Sequence, residues 1–123
     1  MRRNQLPAGL QELLPLTPAV FFVLFSLAVG QKHGYAIMQE TVTLSGGKFR
    51  MGPGTLYATL QRLLDLALVQ EVPAAGATTN RDSRRRYYRL TAHGKTLLEA
   101  ELSHMDSVVR LAKTKKLVPR TAE

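Results

Sequence analysis

Gly52-Pro53-Gly54-Thr55-Leu56-Tyr57 opens a stretch in which Leu56, Leu60, Leu63, Leu64 and Ala67 share one helical face. That spacing is the apolar stripe of a helix packed on a core. Pro53 suits the first turn, where its missing N–H would find no intrahelical partner in any case. The flanking glycines carry no side chain, so the backbone N–H groups at the helix start stay open to a phosphate. Thr55, Ala58 and Arg62 fall on the opposite face, with Gln61 at its edge. Apolar inside, small and polar outside, open at its start, such a helix fits the major groove of DNA. Alone, the segment reads better as an ordinary capped core helix. A second stretch, Arg84-Arg85-Arg86-Tyr87-Tyr88-Arg89 at the end of a polar loop, shifts the reading toward nucleic acid.

Composition agrees. The chain has 123 residues, a hydrophobic fraction of 45% and a net charge of +8. Its length predicts one domain with a modest core, small enough to gain from a partner chain. Its charge, with a sequence pI of about 10.3, predicts a polyanionic partner or an anionic surface. There is no cysteine, which removes disulfides, thiolate zinc sites and cysteine nucleophiles and fits a reducing, cytoplasmic setting.

The most apolar run, from Ala19 to Val29, is well short of the roughly 20 residues a membrane-spanning helix needs. Arg2 and Arg3 upstream and Ala28-Val29-Gly30 downstream have the outline of an export signal. Glu12 and the prolines Pro7, Pro15 and Pro18 interrupt that outline, and the following chain continues as a coherent fold. The run therefore reads as a buried first helix.

Around it the chain divides into an N-terminal arm (1–16), a winged helix-turn-helix unit (17–91), a C-terminal helix (92–117) and a tail (118–123). In the arm, Leu10, Leu13 and Leu14 form a short amphipathic turn. Thr17 caps a helix from Pro18 to Val29 that is apolar nearly all round, and Gly30 stops it. Gln31 to Gly34 reads as a turn. The next helix, Tyr35 to Leu44, places Tyr35, Met38 and Val42 on one face and ends at Ser45-Gly46-Gly47. Lys48-Phe49-Arg50-Met51 alternates like a short strand. The leucine helix follows, from Pro53 to Leu66. Val69-Gln70-Glu71-Val72 and Arg86-Tyr87-Tyr88-Arg89-Leu90 make a hairpin around the loop 73–85, with Tyr88 and Leu90 facing the core. Thr91 caps a long last helix.

The sequence resembles the PadR family of bacterial transcriptional regulators over Leu16 to Leu98. The matching stretches are Leu16-Thr17-Pro18-Ala19-Val20, His33-Gly34-Tyr35-Ala36-Ile37, Gly52-Pro53-Gly54-Thr55-Leu56-Tyr57 with Leu60 and Arg62-Leu63, and Arg86-Tyr87-Tyr88-Arg89-Leu90-Thr91 with Gly94. The resemblance implies a mainly α, winged helix-turn-helix fold with a small β-hairpin wing and a long C-terminal dimerisation helix. It also implies a homodimeric repressor whose third helix, the leucine helix, enters the major groove. One helix after the wing resembles the short subclass. The chain has no tryptophan, the residue that some drug-binding relatives place in a dimer-interface pocket.

Individual residues take roles on this reading. Thr55 and Tyr57 meet bases or phosphates, Gly54 and Ala58 allow close approach, and Arg62 reaches a phosphate or pairs with Asp65 three residues on. Lys48 and Arg50 flank the groove. Arg84, Arg85 and Arg86, with Arg81 and Arg89 nearby and Asp82 as the local counter-charge, put the wing on the flanking backbone or minor groove. Each has a plainer alternative, from a supporting core tyrosine to a solvated charged surface. His33, His93 and His104 lack metal-ligand spacing, so no metal or other cofactor is expected. No nucleophile triad, carboxylate pair or phosphate loop is present, so the chain is not read as an enzyme.

In the last helix Leu98, Leu102, Met105, Val109 and Ala112 alternate at spacings of four and three, a short coiled-coil seam. Leu97, Val108 and Leu111 form a second apolar line, expected to pack on the same chain's first helix. The expected partners are double-stranded DNA with a near-palindromic operator and a second copy of the chain. Any small-molecule effector would lodge at the interface between the copies; a membrane is not expected. The competing reading is a winged-helix module whose basic wing binds an acidic protein or RNA.

Overall fold

The apolar run is the centre of the fold. In the computed structural model, which describes residues 6–73 and 86–119, it forms α2 (Pro18–Ala28), reached through the short α1 (Ala8–Gln11). The Val20 N–H donates to Thr17 Oγ1 at 3.3 Å, the expected cap. Phe21, Val23, Leu24, Ser26 and Leu27 are all buried, as a helix apolar on every side requires. Leu6 and Leu10 of the arm are buried too, so the arm belongs to the core and is more than a basic tail. Lys32 Nζ donates to the carbonyls of Ser26 at 2.8 Å and Gly30 at 3.0 Å, closing the C-terminal end of α2.

The segment read as a turn at 31–34 instead holds a strand. Lys32–His33 is β1, and it pairs antiparallel with β3 (Tyr87–Leu90), Lys32 opposite Tyr88 and His33 opposite Tyr87. On the other edge of β3 lies β2 (Val69–Val72), with Val69 opposite Leu90, giving the sheet order β1-β3-β2. Tyr88 is buried and Arg89 exposed, as alternation predicts.

The expected strand at 48–51 does not form. Its alternation is real, since Phe49 and Met51 are half-buried while Lys48 and Arg50 are exposed. Both edges of β3 are already occupied, however, and Ser45 folds the segment back on itself. The Phe49 N–H donates to Ser45 Oγ at 2.9 Å, and the Phe49 ring stacks on Phe22 with centroids 5.5 Å apart.

α3 (Gly34–Leu44) is capped by His33, whose Nδ1 accepts from the Ala36 N–H at 3.4 Å. It buries Gly34, Ile37 and Thr41 rather than the expected Tyr35 face, leaving Tyr35 61% exposed. The reason lies at Gly34, where a Cβ would stand 2.9 Å from Tyr57 Cζ and closer still to its hydroxyl. Without a side chain at Gly34, the Tyr57 ring can lie directly over the start of α3.

α4 (Pro53–Asp65) buries Leu56, Leu60 and Leu63 as predicted. Ala67 is not part of it. With φ at 59° it leaves the helix in the left-handed region, and its carbonyl accepts from Thr91 Oγ1 at 2.7 Å. Thr91 Oγ1 also accepts from the Gly94 N–H at 3.1 Å, capping α5 (Ala92–Thr114). Here two expectations are corrected. Leu98 is 3% exposed and lies in the chain's own core, so the free part of the seam begins at Leu102. Val108 and Leu111 do not pack on α2; they are 50% and 58% exposed, because α5 outruns the body of the domain.

Candidate nucleic-acid interface

Among the described residues, three of the four helices that begin beyond the arm start with a side-chain cap: Thr17 for α2, His33 for α3 and Thr91 for α5. α4 has none. Gly52 at its N-cap carries no acceptor, and a Cβ at Gly52 or Gly54 would meet nothing within 4 Å. The N-cap residue thus offers no side-chain acceptor to the first-turn N–H groups, which carry the positive end of the helix dipole. Thr55, Ala58 and Arg62 are exposed along the outer face, as their spacing requires.

Tyr57 stands between the two faces. It is 49% exposed, and its ring end lies over Gly34 at the start of α3. The same corner holds His33, whose ring meets Tyr87 of β3 edge-on at 5.4 Å. The missing side chain at Gly34 thus lets the starts of α3 and α4 and the base of the hairpin come together. Tyr35, exposed beside them, shares an open depression with Met38, Val42, Arg50 and Met51. The sequence reading assigned Tyr35 to the packed face of its helix. A signal for the other outcome existed in the glycine immediately before it.

Lys48 and Arg50 are exposed just ahead of α4, where they can flank a groove. Arg62 makes no ion pair with Asp65 among the described residues. Asp65 accepts instead from Gln61 Nε2 at 3.0 Å, which leaves the Arg62 guanidinium on the outer face.

The wing needs one correction. Arg84 and Arg85, with Arg81 and Asp82, lie outside the described residues. Arg86 is described, and its counter-charge is Glu71 across the hairpin, bound by an ion-paired hydrogen bond. That hydrogen bond and the carboxylate's charge push the guanidinium above its already high value. Glu71 lies opposite Tyr88, whose hydroxyl is pushed up by burial first and by the Glu71 charge second. Arg89 donates from Nε to Gln70 Oε1 at 3.3 Å on the other face of the ladder. Among the described residues no cluster of histidine and carboxylate side chains could hold a metal ion. No helix among them is long and apolar enough to cross a membrane.

Among the described residues, α2, α3 and α4 packed with a three-stranded antiparallel sheet, with the hairpin beside an uncapped helix, define a winged helix-turn-helix protein. Comparison with known proteins identifies which kind. Residues 23–100 match the transcriptional regulator PadR-like family, and the chain belongs to it. A 37.1 kDa protein of a Streptomyces fradiae transposon is 40% identical over 87 residues, which is 71% of this chain but only 23% of that one. The fold is similar to that of a PadR family transcription regulator from Clostridium difficile. That match has a TM-score of 0.65 and 21% identity, covering 80% of this chain and 97% of the other. It is also similar to Bacillus subtilis PadR in complex with operator DNA, with a TM-score of 0.60 and 23% identity over 72% of this chain and 48% of the other.

Proposed function

We propose that the protein is a homodimeric, sequence-specific DNA-binding repressor acting in the cytoplasm. In this reading α4 lies in the major groove, and the arginine-rich wing lies on the flanking backbone or minor groove. The observation that carries the reading is the bare start of α4, beside the exposed line of Thr55, Ala58 and Arg62. Glycine is itself an acceptable N-cap, and a capping side chain in its place would add only a few tenths of a kcal/mol, so what Gly52 supplies is room. A helix that receives a phosphate there needs the space. The Bacillus subtilis relative that binds operator DNA supports the assignment of the partner.

On this proposal the chain divides by task into the arm (1–16), the DNA-binding unit (17–91), the dimer helix (92–117) and the tail (118–123). Gly54 and Ala58 admit the groove wall, Thr55 and Tyr57 meet base edges or the adjoining phosphates, and Lys48, Arg50 and Arg62 hold the backbone. Phosphate contacts position the protein, and base contacts give sequence choice. The dimer helix presents Leu102, Met105, Val109 and Ala112 to the partner, so two reading heads meet half-sites about one turn apart on a near-palindromic operator. An effector, where one acts, sits between the copies. No step of this function asks for catalysis or a cofactor.

Recovery of bound sites from a random DNA pool tests the whole reading, and an enriched near-palindrome is expected. Within such a site, Thr55→Ala or Tyr57→Ala should weaken binding by roughly 1–3 kcal/mol while random DNA is held almost as before. Equal losses on both DNAs would reduce these residues to backbone contacts. For the wing, alanine at Arg84, Arg85 and Arg86 together should weaken binding to every sequence. The slope of log affinity against log salt should fall by about one for each phosphate contact removed. An unchanged slope would leave the cluster as ordinary surface charge.

A further inference from the structure

Glu101 is 4% exposed, the last buried residue of α5 before the helix leaves the body of the domain. Its Oε2 accepts from the Leu16 N–H at 3.0 Å, across 85 residues of sequence. Leu16 directly precedes Thr17, the cap of the central helix α2. One carboxylate therefore joins the start of the helix on which α3 and α4 pack to the point where the dimer helix departs. The neighbours on its face of α5 are Leu97 and Leu98. A leucine at this position would extend their apolar surface and avoid the desolvation of a carboxylate. Apolar packing is non-directional, however, whereas a carboxylate bonded to a fixed backbone N–H accepts only a narrow range of positions.

We infer that Glu101 is a positioning residue that sets the angle between the dimer helix and the DNA-reading unit, and with it the half-site spacing the protein accepts. The inference rests on the proposed dimeric DNA-binding function and adds the source of its geometric selectivity. Beyond Glu101 the flank of α5 toward the seam is exposed, Leu102 at 37% and Met105 at 38%, so among the described residues no buried side chain lies further along it to fix the angle. A change in the angle at this point would tilt the reading unit as a lever. With an arm on the order of 20 Å, a tilt of ~10° moves α4 by about 3.5 Å, close to one base-pair step of a duplex that repeats every 34–36 Å. Small errors at Glu101 thus become whole-step errors on the DNA.

The test measures affinity for a set of operators whose half-sites are moved apart or together by one and two base pairs, alongside a duplex holding one half-site. The wild type should prefer one spacing by about tenfold over its neighbours, the scale of a lost base-pair contact. Glu101→Leu should fold, dimerise and bind the single half-site like the wild type, yet bind all spacings within about twofold of one another, because the fixed angle is gone. Glu101→Gln keeps an acceptor oxygen for the Leu16 N–H and should restore the preference. Should Glu101→Leu fail to fold, Glu101→Ala removes the acceptor without adding bulk and is read in the same way. Retention of the wild-type spacing preference by the folded leucine or alanine variant overturns the inference, as does its loss in the glutamine variant. A wild type that sediments as a monomer, or binds no sequence selectively, refutes the underlying function and the inference with it. A selective dimer whose variants keep its spacing preference refutes the inference alone.

Discussion

Gly94→Ala is expected to destabilise the protein by about 3 kcal/mol, at the upper end of the usual cost of overpacking a filled site. A Cβ on Gly94 would collide with the Leu68 carbonyl oxygen and come within 3.1 Å of Leu68 C and Leu90 Cδ2. The obstacle is backbone, not the end of a flexible side chain. That carbonyl also accepts from the Thr91 N–H at 3.1 Å, so it cannot swing away without breaking the junction between hairpin and helix. For a domain of this size the melting temperature should fall by roughly 15 °C. Thermal unfolding followed by circular dichroism measures it directly. A variant that melts within a few degrees of the wild type would mean that α5 does not rest on the turn after α4.

Leu102→Glu combined with Met105→Glu should abolish tight operator binding while leaving the fold alone. Both side chains are already more than a third exposed in the single chain, so charging them removes no contact of its own core. In a dimer they would meet their counterparts, and four carboxylates in one short seam cannot be buried together. Losing the second reading head removes the advantage of high effective concentration, typically 10²–10⁴ in avidity. The operator affinity should therefore fall by roughly 100-fold or more. Sedimentation should show a dimer for the wild type at micromolar concentration and a monomer for the variant, with equal helical signal. A variant that remains dimeric would move the interface elsewhere on the molecule.

How much of this was legible in the sequence depended on whether the deciding signal was local. Thr17-Pro18, Gly52-Pro53 and Thr91 mark helix starts through chemistry contained within one turn, and all three helices begin there. The leucine period of α4 and the alternation of the hairpin are equally self-contained. β1 has only two residues, too few for any period, and exists because β3 offers it an edge. Lys48 to Met51 shows the converse, a strand-like alternation held out of the sheet by the Phe49 N–H bond to Ser45 Oγ and the stacking of Phe49 on Phe22. Leu98 was misplaced because core and seam occupy the same arc of α5, and only the length of the body decides where one gives way to the other. Glu101 and Glu71 were missed altogether. Each is explained by a partner distant in sequence, Leu16 for one and Arg86 for the other. In the candidate interface the outward set Thr55, Ala58 and Arg62 was readable from helical spacing alone. The exposure of Tyr35 was not, since it follows from the contact between Gly34 and Tyr57.

The pairing of Arg86 with Glu71 bears on how the wing would respond to ionic conditions. An arginine that meets a phosphate normally frees a condensed cation into solution, and dilution of that cation is what salt opposes. Arg86 brings a tethered anion with it. When its guanidinium turns to a phosphate, Glu71 is left uncovered beside the DNA and holds a cation in its turn. The exchange releases fewer free ions, so Arg86 should add less to the salt slope than an arginine with no tethered counter-charge. On the proposed function, a wing built this way would keep part of its hold on DNA as rising ionic strength weakens the contacts made by charges without a tethered partner.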